Sequence, residues 1–454
     1  MKSQESAKFA VIGAGMAGLT ATQKLLAGGA EVTLIEKSHG PGGRASTLER
    51  DSFFLNQGPH ALYKGGAAYE ILTKLNIIPA GASPAPKRSL AIFKGEILDL
   101  PIDTASLMAT KLLSIGEKIE WAFLMGTLAH LDLNRLHRVP LCQWLDSTIR
   151  SERVRNIFAA FVRLSTYCNN PEKISAAAAI QQLIIAQKDG VLYLDHGWQS
   201  LVNAMVLSIE QTLQREGQGK LTEIYEAEVT NISVHTADAK HEKDQVEITV
   251  NGAKHSFDAV ILALPPQQVS RLLVSVSDEN TLLRATLDDI VPSHAACLDV
   301  CLKKLPNLYN TFAIGIDEPL YYSVHSSTAK VAEANHALIH LAVYLPEGEK
   351  GSDKHEHQLL ELLDKMQPGW QSELVYKRFL ANMTASFGTA LAAKEGSNGL
   401  ASVTLPIVPT VDRVFVCGDW VGTGHLLVDA AMSTAVTAAE AALAGAKEKA
   451  CARI

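Results

Sequence analysis

Three observations along this 454-residue chain predict an α/β protein. The stretch "FAVIGAGMAGLTATQKLLAGGAEVTLIEK", residues 9–37, reads as strand, glycine turn, helix, strand. Residues 224–264 switch to the period-two alternation of a three-strand meander. The late segment "RVFVCGDWVGTGHLLVDAAMSTAVTAAEAAL" repeats the grammar of the first: apolar strand, glycine loop, long small-residue helix. The expected architecture is a Rossmann-like domain with a β-meander plus a mixed α+β domain, discontinuous in sequence. Residues 1–79, 201–270 and 404–454 form the first domain, and 80–200 and 271–403 the second.

The opening element decides the class of ligand. Its basic start, apolar run and alanines imitate a secretory signal, but the glycines argue against that reading. Phe9–Ile12 is a fully apolar run of the kind a buried parallel strand shows, and Gly13, Gly15 and Gly18 follow in the G-x-G-x-x-G spacing. Leu19, Thr22 and Leu26 then repeat at helical spacing up to Gly28–Gly29, and Val32–Ile35 ends on Glu36. Gly13 permits the turn, Gly15 lets backbone approach a pyrophosphate, and Gly18 lets helix and strand pack closely. The helix N-terminus faces the anion. Glu36 suits the adenosine ribose, and its charge disfavours a 2′-phosphate there. The unit is therefore expected to hold a dinucleotide.

A second glycine cluster, Gly40, Gly42 and Gly43, runs into Arg44, and Gly58–Pro59–His60 follows a short apolar run. Glycines beside one Arg suit a loop laid against a long anionic cofactor. Residues 80–200 read as mostly helical, with amphipathic stretches at 114–131 and 139–150; "EKIEWAFLMGTLAHL" is apolar enough to line a greasy cavity or touch a bilayer, though a core helix is the commoner use of such a segment. The meander turns at Asn251–Gly252 and leads into the buried strand of "DAVILALPP". Strand-like "ACLDVCL" and "HALIHLAVYL" follow. Gly418–Asp419 then sits at the carboxyl end of the last strand, where ligands of open α/β sheets bind.

Composition narrows the field. The chain is 47% apolar and 20% charged, as in soluble globular proteins, and a net charge of −7 gives no footprint for nucleic acid. No apolar run is expected to reach the length of a membrane span, the longest candidate being residues 121–131. Six cysteines without a C-x-x-C fit a reducing compartment. Cys297 and Cys301 would share a strand face about 13 Å apart, beyond disulfide reach. His355 and His357 point in different directions on a helix, so no metal site is expected.

Taken in order, the G-x-G-x-x-G unit, Glu36, Gly42–Gly43–Arg44, Gly58–Pro59, the meander ending in "DAVILALPP" and the "VFVCGD" strand with its helix resemble the flavin amine oxidase superfamily. The chain looks most like its phytoene desaturase and protoporphyrinogen oxidase branches. The resemblance implies a non-covalent FAD held by Gly13, Gly15, Gly18, Glu36, Gly43, Arg44, Gly58, Val229, Gly418 and Asp419. In it, Val229 pairs with adenine through its backbone, Arg44 lies near the flavin and Asp419 binds the ribityl chain. Ala430 and Thr434 replace glycines usual in the closing helix, which would add methyl groups against the cofactor. Leu427 stands where amine-oxidising members tend to carry an aromatic residue, which tilts the expectation to an apolar substrate.

The expected reaction is dehydrogenation of an apolar small molecule, with His60 and His425 as candidate bases. Amine oxidation, a redox-neutral flavin isomerisation and a catalytically silent FAD-binding role are the alternatives. The protein is expected in the cytoplasm with at most peripheral membrane contact; the sequence leaves its oligomeric state open.

Overall fold

The computed structural model describes residues 6–215, 219–235, 245–273, 287, 290–389, 411, 413–422 and 424–451. A five-stranded parallel sheet runs Lys220–Ile224, Glu31–Ile35, Lys8–Ile12, Ala259–Leu262, Val414–Val416. From the first strand the chain moves one way to Glu31–Ile35, and the later strands fill the other side. That reversal places a switch-point crevice at the carboxyl end of Lys8–Ile12.

The central strands are apolar throughout because both sheet faces are covered. Phe9 and Val11 face the helices Met16–Ala27, Gln199–Leu213 and Leu427–Cys451, packing with Leu19, Leu25, Val202, Met205 and Ala435. Ala10 and Ile12 face the meander, Val229–His235, Gln245–Val250 and Ala253–Phe257, through Ile232, Val246 and Ile248. Asn251 and Gly252 both take positive φ, 46° and 84°, as a two-residue hairpin whose twist matches the strands requires. The polar stretch expected between the first two meander strands, 236–244, lies outside the described residues, as do most of 274–289 and all of 390–410.

The second layer system is built on a seven-stranded mixed sheet in the order Leu374–Ser386, Ser293–Leu302, Ala337–Leu345, Leu320–Val324, Phe312–Gly315, Ser89–Phe93, Glu96–Asp99. The helix Asp353–Met366 covers one face through Leu359, Leu362, Leu363 and Met366. On the other face lie the helices between residues 115 and 189, with Trp121, Trp144 and Phe158 in the core.

Several expectations change here. Residues 80–200 carry the expected helices, but Ser89–Phe93 and Glu96–Asp99 are strands of the large sheet and Val191–Leu194 joins two small ones. By length and composition alone the closing helix passes for a membrane span over Leu427–Ala446, which the expectation from apolar runs missed. Half of that stretch is buried in the protein, where Ala435, Ala438, Ala439 and Ala442 let it lie close against Met16–Ala27. His355 caps its helix at Ser352 while His357 is exposed, and no metal-binding cluster occurs among the described residues.

Candidate active site

The first glycine turn ends the central strand. Gly13 takes φ 100° and donates to the Ile35 carbonyl at 2.8 Å, tying the turn to the neighbouring strand; a Cβ there would lie 2.5 Å from the Ala263 oxygen. Gly18 packs so closely that a Cβ would sit 1.8 Å from the Gly13 oxygen. Gly15 differs from both, because a Cβ there would meet nothing within 4 Å. Its glycine is not required by protein packing, and the empty space lies at the N-terminus of helix Met16–Ala27. Glu36 accepts from Ala14 N at 2.7 Å and Ser38 N at 2.9 Å, which leaves each carboxylate oxygen further acceptor capacity.

The second glycine cluster is hydrogen-bonded to the first, with Gly42 N donating to Ala14 O at 2.9 Å. It delivers Arg44 to Asp419. The guanidinium donates to both Asp419 oxygens, at 2.9 and 2.7 Å, and to Ala385 O at 3.0 Å, and it lies 4.5 Å from the Phe387 ring centroid. Asp419 is buried and also accepts from Ser386 Oγ and Phe387 N. Both carboxylate oxygens are thus held by the protein itself.

These elements line a cavity of about 710 Å³. Gly13, Gly15, Glu36, Gly43, Arg44, Val229, Gly418 and Asp419 are on its wall. Beside Val229 the ladder slips at Thr230, a bulge that leaves Thr230 unpaired. Another part of the wall carries His60, Tyr167, Trp198, Met383, Leu427 and Ala431. Leu427 holds φ 56°, a backbone region that costs a leucine roughly 1–2 kcal/mol and clusters at functional sites.

Among the described residues, His60 is the one histidine on the wall. Its Nδ1 lies 2.9 Å from Gly58 O, and its ring tilts against Trp198 at 5.0 Å. Burial pushes its pKa down to about 4, against the opposing pull of the Gly58 carbonyl, so the ring is neutral at pH 7. Tyr167, in left-handed conformation at the end of helix Glu152–Thr166, donates to Pro59 O at 2.8 Å and steadies the same loop.

A polar cluster lies on the large sheet beneath that loop. Asp299 is paired in register with both His340 and Arg378; His340 Nδ1 is 2.5 Å from its carboxylate, Arg378 Nε donates at 2.9 Å, and Arg378 also reaches Asn56 O. His325 meets the His340 ring edge-on at 4.4 Å and bonds the Tyr321 hydroxyl at 3.2 Å.

Three expected residues sit elsewhere. His425 is not on the cavity wall; burial lowers its pKa while Glu70 raises it. Gly58 is behind the wall, where a Cβ would strike Met383 at 2.7 Å and Cys297 at 3.3 Å. Gly18 serves packing beneath the turn. The expected crowding by Ala430 and Thr434 is also corrected, since both are buried off the wall. The Thr434 hydroxyl instead accepts from Gly418 N at 3.1 Å, pinning the loop that carries Asp419. Sequence reasoning missed Tyr167, Trp198, Met383 and Phe387. Only Trp198, directly after a glycine and before a helix, stands at a position that could have drawn notice.

A switch-point crevice, a glycine cradle open at Gly15 and an acidic residue beyond the second strand define a dinucleotide-dependent enzyme. A profile of the flavin containing amine oxidoreductases matches residues 16–443, and the chain belongs to that family. Membership in that family makes it an FAD-dependent oxidoreductase.

Among curated relatives, a 4,4'-diapophytoene desaturase (4,4'-diaponeurosporene-forming) of Staphylococcus aureus is 46% identical over 52 residues, which is 12% of this chain and 10% of the relative. Among solved structures, a protein described as a protoporphyrinogen oxidase from Exiguobacterium sp. 255-15 superposes with TM-score 0.69 at 16% identity, covering 98% of this chain and 100% of the other. Putrescine oxidase bound to putrescine gives TM-score 0.71 at 16% identity, covering 97% and 99%. At such identities the two structures speak for the fold alone.

The residues fit FAD on the structure's own terms. Gly15 leaves room where a phosphate would meet a helix N-terminus, and the buried Trp198 indole N–H on the wall has no hydrogen-bond partner among the described residues.

Proposed function

We propose that this chain dehydrogenates an apolar small molecule, introducing a double bond. FAD, when bound, supplies the hydride acceptor. The reading is carried by the cavity wall that His60, neutral at pH 7, shares with Tyr167, Trp198, Met383, Leu427 and Ala431. None of these side chains is a carboxylate that would pair a desolvated cationic amine, and Asp419 on the same cavity wall is already paired with Arg44. The 52-residue likeness to a 4,4'-diapophytoene desaturase leans the same way.

In this proposal residues 1–79, 201–270 and 404–454 form the FAD-binding domain, and 80–200 and 271–403 the substrate domain. Gly13, Gly15 and the helix start at Met16 hold the pyrophosphate, Glu36 the ribose and the Val229 backbone the adenine. Arg44 is fixed by Asp419 so that its remaining donors and its charge face the isoalloxazine end, with Gly43 and Gly418 giving backbone access. His60, donating through Nδ1 to Gly58 O, presents Nε2 as the proton acceptor. Tyr167 and Trp198 hold the loop and exclude water. His425 has no part in this scheme.

The test is an anaerobic visible spectrum of the holoenzyme before and after adding an apolar polyene, a porphyrinogen or a panel of amines. Bleaching by the polyene or porphyrinogen is expected. Bleaching by amines alone replaces this reading with amine oxidation, and a flavin that none of them reduces removes the dehydrogenase assignment for these classes.

A further inference from the structure

The loop that carries His60 rests on the strand Ser293–Leu302. Arg378 donates to its Asn56 carbonyl, and a Cβ at Gly58 would lie 3.3 Å from Cys297 Sγ. Two residues along that strand, on the same face as Cys297, stands Asp299. Asp299 and its partner His340 are both completely buried. Because a carboxylate only accepts, the 2.5 Å contact to Asp299 Oδ1 fixes the His340 proton on Nδ1 and leaves Nε2 a bare acceptor. That Nε2 has no hydrogen-bond partner among the described residues. A buried acceptor left unpaired costs stability, so its retention calls for an explanation.

The ionisable groups around His340 supply one. His325 meets its ring edge at 4.4 Å, stacks on Tyr193 at 4.0 Å and shares Nε2 with the Tyr321 hydroxyl at 3.2 Å. Burial raises both phenols and the Cys297 thiol, which stay neutral. His60 lies close enough to feel the charge of His340 and of Asp299. Burial holds His60 down at about 4, with Arg44 and His340 adding to the effect, and holds His325 well below the ordinary range. Neither ring keeps a proton at pH 7. Arg378 occupies the other Asp299 oxygen and cannot act as an acid. Of the three imidazoles, only His340 bonds a carboxylate. A base at His60 can therefore take a proton but has no charge of its own to hold it, whereas the free nitrogen of His340 has one behind it.

We propose that His340 is the proton store of this site: the substrate proton taken by His60 Nε2 passes, directly or through one water, to His340 Nε2. As the double bond forms, one C–H bond gives up hydride and its neighbour gives up this proton. Both leave again together when a two-electron acceptor, oxygen or a quinone, becomes peroxide or hydroquinone. His340 touches no substrate and acts through His60.

The proposal rests on the dehydrogenase reading for the source of the proton, but the store can be tested without substrate, by spectroelectrochemical titration of the holoenzyme at several pH values. The amide of His340→Gln can still donate to Asp299 but cannot take up a proton. Wild type is expected to bind one proton more per flavin reduced. Its midpoint potential should then fall more steeply than the variant's by about 30 mV for each tenfold change in proton concentration, two electrons being transferred. A second measurement needs no variant. In ¹⁵N-histidine-labelled wild type, one imidazole Nε2 should pass from bare to protonated when dithionite reduces the flavin. Equal slopes, or imidazole spectra unchanged by reduction, overturn the proposal. A merely structural His340 predicts a lower melting temperature in the variant with the slope unchanged. A substrate panel that leaves the flavin oxidised removes the dehydrogenase reading and not the store; equal slopes remove the store whatever the panel shows.

Discussion

Alanine at Gly15 and alanine at Gly18 should separate two roles that one motif combines. At Gly18 the new methyl would stand 1.8 Å from the Gly13 oxygen, while real Cβ atoms stay beyond about 3.0 Å, so turn and helix must part by more than 1 Å. Overpacking of that kind costs about 1–3 kcal/mol, and it also displaces the cradle. At Gly15, the helix N-cap with φ −73°, alanine meets no protein atom and strains no backbone; only the weaker capping preference of alanine remains, less than about 1 kcal/mol. The assay is urea unfolding of the FAD-free protein beside FAD titration followed by flavin fluorescence. Gly18→Ala should lose both stability and affinity. Gly15→Ala should keep the apoprotein midpoint and lose at least tenfold in affinity. If Gly15→Ala bound FAD like wild type, the space above Gly15 would not be the phosphate site, and the assignment of the cradle would fail.

Asp419→Ala removes the acceptor of four hydrogen bonds and leaves Phe387 N and Arg44 without their partner. A loss of roughly 2–4 kcal/mol is expected in the denaturation midpoint, below the value for a fully buried pair because Arg44 is partly exposed, with lower FAD content at 450 nm. His60 is depressed to about 4 in the fold against about 6.5 unfolded, so between those values the unfolded chain binds the extra proton. Stability should therefore fall as pH drops from 6.5 towards 4, and His60→Phe should flatten that slope in unfolding curves taken at several pH values. Asp299→Asn leaves Arg378 without its counter-ion beside His340 and should cost about 3–5 kcal/mol, read from the urea midpoint.

The nucleotide unit was legible because its physics is local. A strand covered on both faces is apolar at every position, a tight turn needs glycine, and both facts sit within residues 9–37. Asn251–Gly252 announced its hairpin for the same reason. Lys220–Ile224 escaped because it is an edge strand, mostly exposed, whose sequence "KLTEI" lacks the apolar run of its neighbours. Ser89–Phe93 escaped because its partners come from residues 96–99 and 312–315. In the site, Arg44 and Asp419 could each be picked out, but not their union, since nothing in one stretch records the position of the other. Thr434 looked like a loss of glycine and is a hydrogen-bond partner of Gly418.

The ion pair between Arg44 and Asp419 joins residues 375 apart in the chain. A ribosome adding about 5–20 residues per second needs roughly 20–75 s to pass from one to the other. Throughout that interval the cradle lacks its far wall, and from the moment it is made the strand Ala259–Leu262 lacks Val414–Val416 at its side. The newborn protein thus presents a bare sheet edge and a half-built crevice to the cell, and how well chaperones shelter that edge will set the yield of holoenzyme as much as the supply of FAD does.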